Sequence, residues 1–197
     1  MKRGWTRFWL SVSGISLIAA IAAPPGWPQS GNALRHNNEL RLAGLLPGRT
    51  AIAKAEILLG KASKRDSYNQ SAIWKKCDGQ ELIVDLDGKG IVQQIRAVKN
   101  AGEQSNPDCS RPESGASKWA TGAGLRIGHT TSRVLQLYGQ PDSRSPSTKD
   151  GQRLELLYYA FDWAGPDVPQ VMEVLCTVEK DGKPGRVVEI TLAASSL

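Results

Sequence analysis

A seven-residue pattern occurs twice in this chain. Gly44-Leu45-Leu46-Pro47-Gly48-Arg49-Thr50 returns 80 positions later as Gly124-Leu125-Arg126-Ile127-Gly128-His129-Thr130. In each copy a short apolar-periodic stretch follows and stops at a second glycine, Gly60 or Gly139. Repetition of this kind means that one supersecondary unit is built twice and that the copies share buried surface. No other feature narrows the fold as far, and it says nothing of a partner.

The elements of each copy follow in the same order. Thr50 has the hydroxyl to cap a helix, and Ile52, Ala55, Leu58 and Leu59 then fall on one helical face before Gly60 ends it. In the second copy Thr130 or Thr131 is the cap, with Val134, Leu137 and Tyr138 as the stripe before Gly139. Three strand-like runs succeed each helix: 72–77, 80–87 and 91–98, then 153–163, 170–179 and 186–192. Asp78-Gly79, Asp87-Gly88, Asp181-Gly182 and Pro184-Gly185 punctuate them as tight turns, which makes neighbouring strands antiparallel. The expected fold is α+β, with two tandem helix-plus-three-stranded antiparallel meander units. The first spans 40–99 and the second 120–197. Residues 100–119, rich in Gly, Ser, Pro and Ala without apolar period, read as a linker.

Alternation assigns faces in the second unit. Leu154, Leu156 and Tyr158, then Met172, Val174, Cys176 and Val178, then Val188, Ile190 and Leu192 read as the core side. The other side carries Glu155, Glu173, Thr177, Glu189 and Thr191, as a solvated face should, but also Leu157, Tyr159, Phe161, Trp163 and Leu175. A contiguous apolar patch on a solvent face marks a binding surface, so these five are the candidate contact residues for a protein partner, with Glu155 and Glu173 as a polar rim. The competing reading packs them on the other repeat or on Trp119.

The beginning of the chain reads as an address. Lys2, Arg3 and Arg7 precede an apolar run from Leu10 to Ala23, and Ala20-Ile21-Ala22 has the small residues a signal peptidase requires. The run is shorter than the ~20 residues of a membrane span, so residues 1–23 are expected to be a signal peptide. Cleavage after Ala22 or near Gly31-Asn32-Ala33 fits, and an uncleaved anchor is the alternative. Residues 24–39 then form a flexible arm, and the membrane is touched only through the leader. Loss of those three cations takes the net charge from +6 to +3, an ordinary surface whose scattered basic residues give no nucleic-acid footprint.

The glycine, turn, threonine, short helix and meander resemble the unit shared by BamE-type (SmpA/OmlA) outer-membrane assembly lipoproteins and the β-lactamase inhibitor protein. Two such units in tandem are more similar to the inhibitor, and the resemblance implies paired sheets with a concave binding surface. Gly48-Arg49-Thr50 to Gly60 and Gly128-His129-Thr130 to Gly139-Gln140-Pro141 carry it. BamE-type proteins are tethered by a lipidated cysteine after the leader, whereas the first cysteine here is Cys77, so no lipid anchor is carried over. Neither are the inhibitor's contacts.

Three cysteines allow three pairings. Cys176 stands among Met172, Val174 and Val178, where a thiol behaves as a small hydrophobe. Cys77 ends a strand and Cys109 lies in the linker, which makes Cys77–Cys109 the expected bridge. Chemistry is sparse. His36 falls in the arm, and His129 holds a turn position filled by Arg49 in the first copy. Asp85-Leu86-Asp87-Gly88-Lys89-Gly90 begins like a calcium loop, but Arg96 stands where the bidentate Glu belongs. Trp74 and Trp163 are isolated, so sugar stacking and core packing are both open for them. The expectation is a secreted or periplasmic, non-enzymatic protein-interaction module without catalytic residue, metal or cofactor, whose partner is an unidentified protein. A small-ligand binder or enzyme using the groove between the units is the alternative.

Overall fold

Both copies of the heptad adopt one backbone conformation. In the computed structural model, which describes residues 38–66, 70–99, 119–161, 170–178 and 184–194, φ is +80° at Gly44 and +73° at Gly48, and +88° at Gly124 and +85° at Gly128. Side chains with a Cβ rarely take that region, which is why glycine recurs at those two places. The loop so formed runs beside the last strand of its own half. Gly48 N donates to Val92 O at 2.6 Å and Val92 N to Thr50 O at 2.9 Å, while Gly128 N donates to Val187 O and Val187 N to His129 O, both at 2.8 Å. The leader, the linker up to residue 118, His36, Cys109 and Trp163 lie outside the described residues.

Each loop leads into a two-turn helix, α1 (Ile52–Leu59) or α2 (Thr131–Tyr138). Thr130 caps α2 by accepting from Arg133 N at 3.3 Å. Thr50 does not cap α1: its Oγ1 accepts from Leu46 N at 2.8 Å and closes the loop instead, leaving Ala51 as a cap without a side-chain bond. Eight strands follow, β1 (Lys64–Asp66), β2 (Ser71–Lys75), β3 (Gln80–Leu86) and β4 (Val92–Lys99) after α1, and β5 (Ser143–Lys149), β6 (Gln152–Phe161), β7 (Gln170–Thr177) and β8 (Val187–Ala194) after α2.

The strands form a single antiparallel sheet in the order β1-β2-β3-β4-β8-β7-β6-β5. This corrects the expected α+β pair of three-stranded meander units: each half contributes four strands, and β4 pairs directly with β8 from Gln94↔Ala193 to Val98↔Glu189. The halves therefore merge edge to edge, and no groove separates their sheets. The strands missed in the sequence are the two outermost ones. An edge strand has only one neighbour and need not alternate, so Lys64-Arg65-Asp66 and the proline-bearing run at 143–149 read as loop.

One face of the sheet carries the core. Leu82, Val84, Ile95, Ala97, Ile190, Leu192, Met172, Val174, Leu157 and Tyr159 are fully buried there, together with Ala55 of α1, Val134 and Tyr138 of α2, and Leu42, Leu45 and Leu125 of the heptad segments. The heptad segments also bond to one another, Ala43 N to Ala120 O at 2.9 Å and Gly122 N to Arg41 O at 3.0 Å. A buried carboxylate reinforces that junction. Glu39 Oε1 accepts from Leu40 N, Arg41 N and Gly122 N, and Oε2 from Ala123 N and from the Tyr138 hydroxyl at 2.7 Å. Since the Tyr138 proton goes to Glu39, the Thr121 hydroxyl, 2.6 Å away, donates to Tyr138. Glu39, assigned from the sequence to the arm, is 3% exposed, and its charge is balanced by oriented backbone N–H groups rather than by a cation.

Candidate binding surface

The five contact residues expected from the sequence do not form a surface. Leu157, Tyr159 and Phe161 point into the core, with Tyr159 stacked on Phe161 at 6.2 Å between ring centroids and tilted against Tyr138 at 5.8 Å. Trp163 lies outside the described residues. Only Leu175 remains on the opposite face, half-buried. The reason is phase. β6 is apolar at consecutive positions, Leu156-Leu157-Tyr158-Tyr159, so alternation within it cannot choose a face. Pairing with β7 decides, setting Leu157 opposite Val174 and Tyr159 opposite Met172.

The residues of the other parity make the second face of the sheet, open toward its edges and buried at its centre, where Val98 is 3% exposed. Directly paired residues of antiparallel strands point to the same side, so the register can be read across the sheet as rows. One row runs Lys64, Ile73, Ile83, Arg96, Thr191, Glu173, Tyr158, Ser143 from edge to edge. The next runs Lys75, Glu81, Val98, Glu189, Leu175, Leu156, Ser145. Eight strands at ~4.8 Å spacing give each full row a span of roughly 34 Å. Ile73, Ile83, Leu156, Tyr158 and Leu175 are partly exposed here, and none belongs to the buried cluster.

Charge on this face is largely paired. Lys75 meets Glu81, and Lys149 Nζ lies 2.5 Å from Glu189 Oε2. On a flat sheet three strand spacings, about 14 Å, would separate β5 from β8. The Lys149–Glu189 contact closes because the β5–β6 end curls over the open face, which is concave there and keeps Glu189 and Thr191 at 8% exposure. Asp85 accepts from Gln94 at 3.3 Å. Arg96, in the middle of the face between Ile83 and Thr191, is the exception. Its Nε is buried and has no hydrogen-bond partner among the described residues. A buried donor left unpaired costs about 1–3 kcal/mol.

Of the other groups with chemical potential, Asp87 and Trp74 are engaged locally, while His129 Nδ1 is buried without a hydrogen-bond partner among the described residues. Asp87, part of the calcium-like fragment, spends Oδ1 on Lys89 N and Ile91 N at 2.8 Å each, which makes it a turn residue. His129 is half-buried, and burial, then Arg126 and Arg133, hold its imidazole below the ordinary range. Trp74 is buried and donates from Nε1 to Gly60 O at 2.8 Å, which settles it as core. Cys77 is disulfide-bonded and Cys176 is a free, buried thiol.

No family model matches the chain, and no curated protein matches it. Among solved structures it is similar to a DUF4309 family protein (YjgB) from Bacillus subtilis subsp. subtilis str. 168, at 12% identity and a TM-score of 0.43, with 80% of this chain and 88% of that one covered. It is also similar to a cysteine-rich secretory protein (SAV1118) from Staphylococcus aureus subsp. aureus Mu50, at 13% identity and a TM-score of 0.35, covering 73% of this chain and 43% of that one. Neither is a BamE-type protein or a β-lactamase inhibitor protein. With no family model matching and a single sheet in place of paired ones, the resemblance read from the heptads is withdrawn. A glycine turn followed by a short helix is a local solution that unrelated chains reach, because only glycine takes the required φ.

Proposed function

We propose that this protein is an exported, non-catalytic interaction module that holds another protein on the concave open face of its sheet, with Arg96 receiving a carboxylate from that partner. The observation that carries the reading is the unpartnered Arg96 Nε in the centre of a half-apolar sheet face. The acids nearest to it are engaged, Glu81 by Lys75, Asp85 by Gln94 and Glu189 by Lys149, while Glu173, in the same row, stands two strands away and exposed. A guanidinium so placed donates to a planar carboxylate in bidentate fashion; Ile83 beside it, and Leu175, Leu156 and Tyr158 two and three strands away, supply the apolar contact. Export rests on the leader of residues 1–23, and a secreted or periplasmic setting suits the Cys77–Cys109 pairing, which three cysteines with Cys176 free leave as the one available bridge.

The test is a photo-crosslinking residue placed at Tyr158, with a second variant carrying it at Ile57 on the outer side of α1. The cross-link from position 158 should join a partner peptide bearing Asp or Glu. It should fall at least about tenfold in Arg96→Glu, the loss expected when a charge-assisted pair is replaced by a like-charge clash. Equal cross-linking from positions 57 and 158, or a cross-link indifferent to Arg96→Glu in a folded protein, refutes the proposal.

A further inference from the structure

On the helix side of the sheet, away from the open face, a cleft of about 600 Å³ lies between the first turn of α2, the β5–β6 hairpin and the end of β7. Its volume is that of a small-molecule site. The first half has a smaller cleft of about 420 Å³ in the matching place, between the β1–β2 hairpin, the end of β3 and Gly90, where β1 is three residues long and β5 has seven. The cleft also accounts for an otherwise odd residue. Val178 is 52% exposed, one of three large hydrophobics left so among the described residues, and it lines the cleft.

The chemistry of the lining selects among ligands. Its charged groups are Arg144 and Glu155, which neutralise one another at 3.6 Å between Nη1 and Oε1. A zwitterion or an anion would have to break that pair. A ligand without charge that carries donors and acceptors on adjacent atoms would bridge it, giving protons to the carboxylate and accepting from the guanidinium. Beside the pair stands the Ser132 hydroxyl, able to donate and accept, over the apolar surface of Leu135 and Val178, while Ser145 lines the cleft with its side chain turned to the other face and Thr131 bonds to Cys176. Adjacent hydroxyls above a C–H face are the features of a sugar ring. We infer that this cleft binds a neutral saccharide, a mono- or disaccharide unit held by Arg144, Glu155 and the Ser132 hydroxyl over Leu135 and Val178.

The inference is tested on the full chain, ¹⁵N-labelled, by titration with maltose, cellobiose and N,N′-diacetylchitobiose, with dialanine and inorganic phosphate as charged probes. At least one disaccharide should shift the amides of Ser132, Ser145 and Glu155 at millimolar concentration. Glu155→Gln should weaken it about tenfold, the cost of one hydrogen bond to a charged acceptor. Ser132→Trp, on the exposed first turn of α2 where folding tolerates it, should abolish the shifts by filling the cleft. No response of those amides to any of the three sugars overturns the inference, as does a response to dialanine or phosphate in their place. Binding that survives Ser132→Trp in a folded protein overturns it too. None of these outcomes bears on Arg96 or the open face.

Discussion

Burial governs the chemistry of Cys176. Removal from water is the largest cause that pushes its thiol up to about 11 from an ordinary value of 9.0, while the bond from Thr131 pulls the other way. Burial likewise raises the phenols of Tyr138 and Tyr159 above their usual range. Each is a group whose neutral form the fold prefers, so its stabilisation is complete below the unfolded-state pKa and is lost as pH rises through the folded one. The melting temperature should therefore fall from pH 9 upward, Cys176 alone costing about 2–3 kcal/mol by pH 11 at 1.36 kcal/mol per unit. Cys176→Ala should flatten the first part of that fall, and an unchanged slope in melts between pH 9 and 10 would count against it. Cys176 was legible in the sequence because Met172 and Val174 alternate with it. Glu39 and Arg96 were not. The distant partners of Glu39 are Gly122, Ala123 and Tyr138, 83 to 99 positions away, and the isolation of Arg96 is a property of register, which no local pattern encodes.

Elements were legible in proportion to how their two faces differ. α1, α2 and the six inner strands follow from apolar period and turn glycines, whereas β6, apolar on both sides, left its phase to β7 and with it the choice between Tyr158 and Tyr159 as the exposed ring. The outer strands are informative for what they avoid. β1 is short and charged, and β5 is exposed along most of its length with Pro146 in the middle. Proline lacks an N–H and is tolerated in a sheet where the missing donor faces away from the neighbour, so Pro146 denies a pairing edge to other chains. Pro146→Val should restore that edge. Sedimentation velocity is expected to show concentration-dependent association of this variant with melting unchanged or raised. A strictly monomeric Pro146→Val protein would mean that the edge is guarded by something else.

At the scale of the molecule, a duplicated unit has produced one sheet with unequal faces. Both helices and both heptad loops pack on the same side, and the pairing of β4 with β8 turns two four-stranded halves into one surface on the other. The heptads announced the duplication. They could not announce the merger, since the β4–β8 register depends on residues that lie about a hundred positions apart and carry no mutual signal in a single sequence. On that second face two half-buried apolar groups, Ile73 with Ile83 and Leu156 with Tyr158 and Leu175, flank a polar centre of Arg96, Thr191 and Glu189.

The central claim, that contact is made on the open face, is tested most directly by side-chain oxidation footprinting of the protein, alone and in extracts of the cells that make it and of their medium. Alone, Tyr158 and Leu175 should be labelled and Tyr159 spared. In the extracts, Tyr158 and Leu175 should become protected while Ile57, 82% exposed on α1, stays reactive. Labelling of Tyr159 in the isolated protein, or protection of Ile57 with Tyr158 still reactive, would contradict the account.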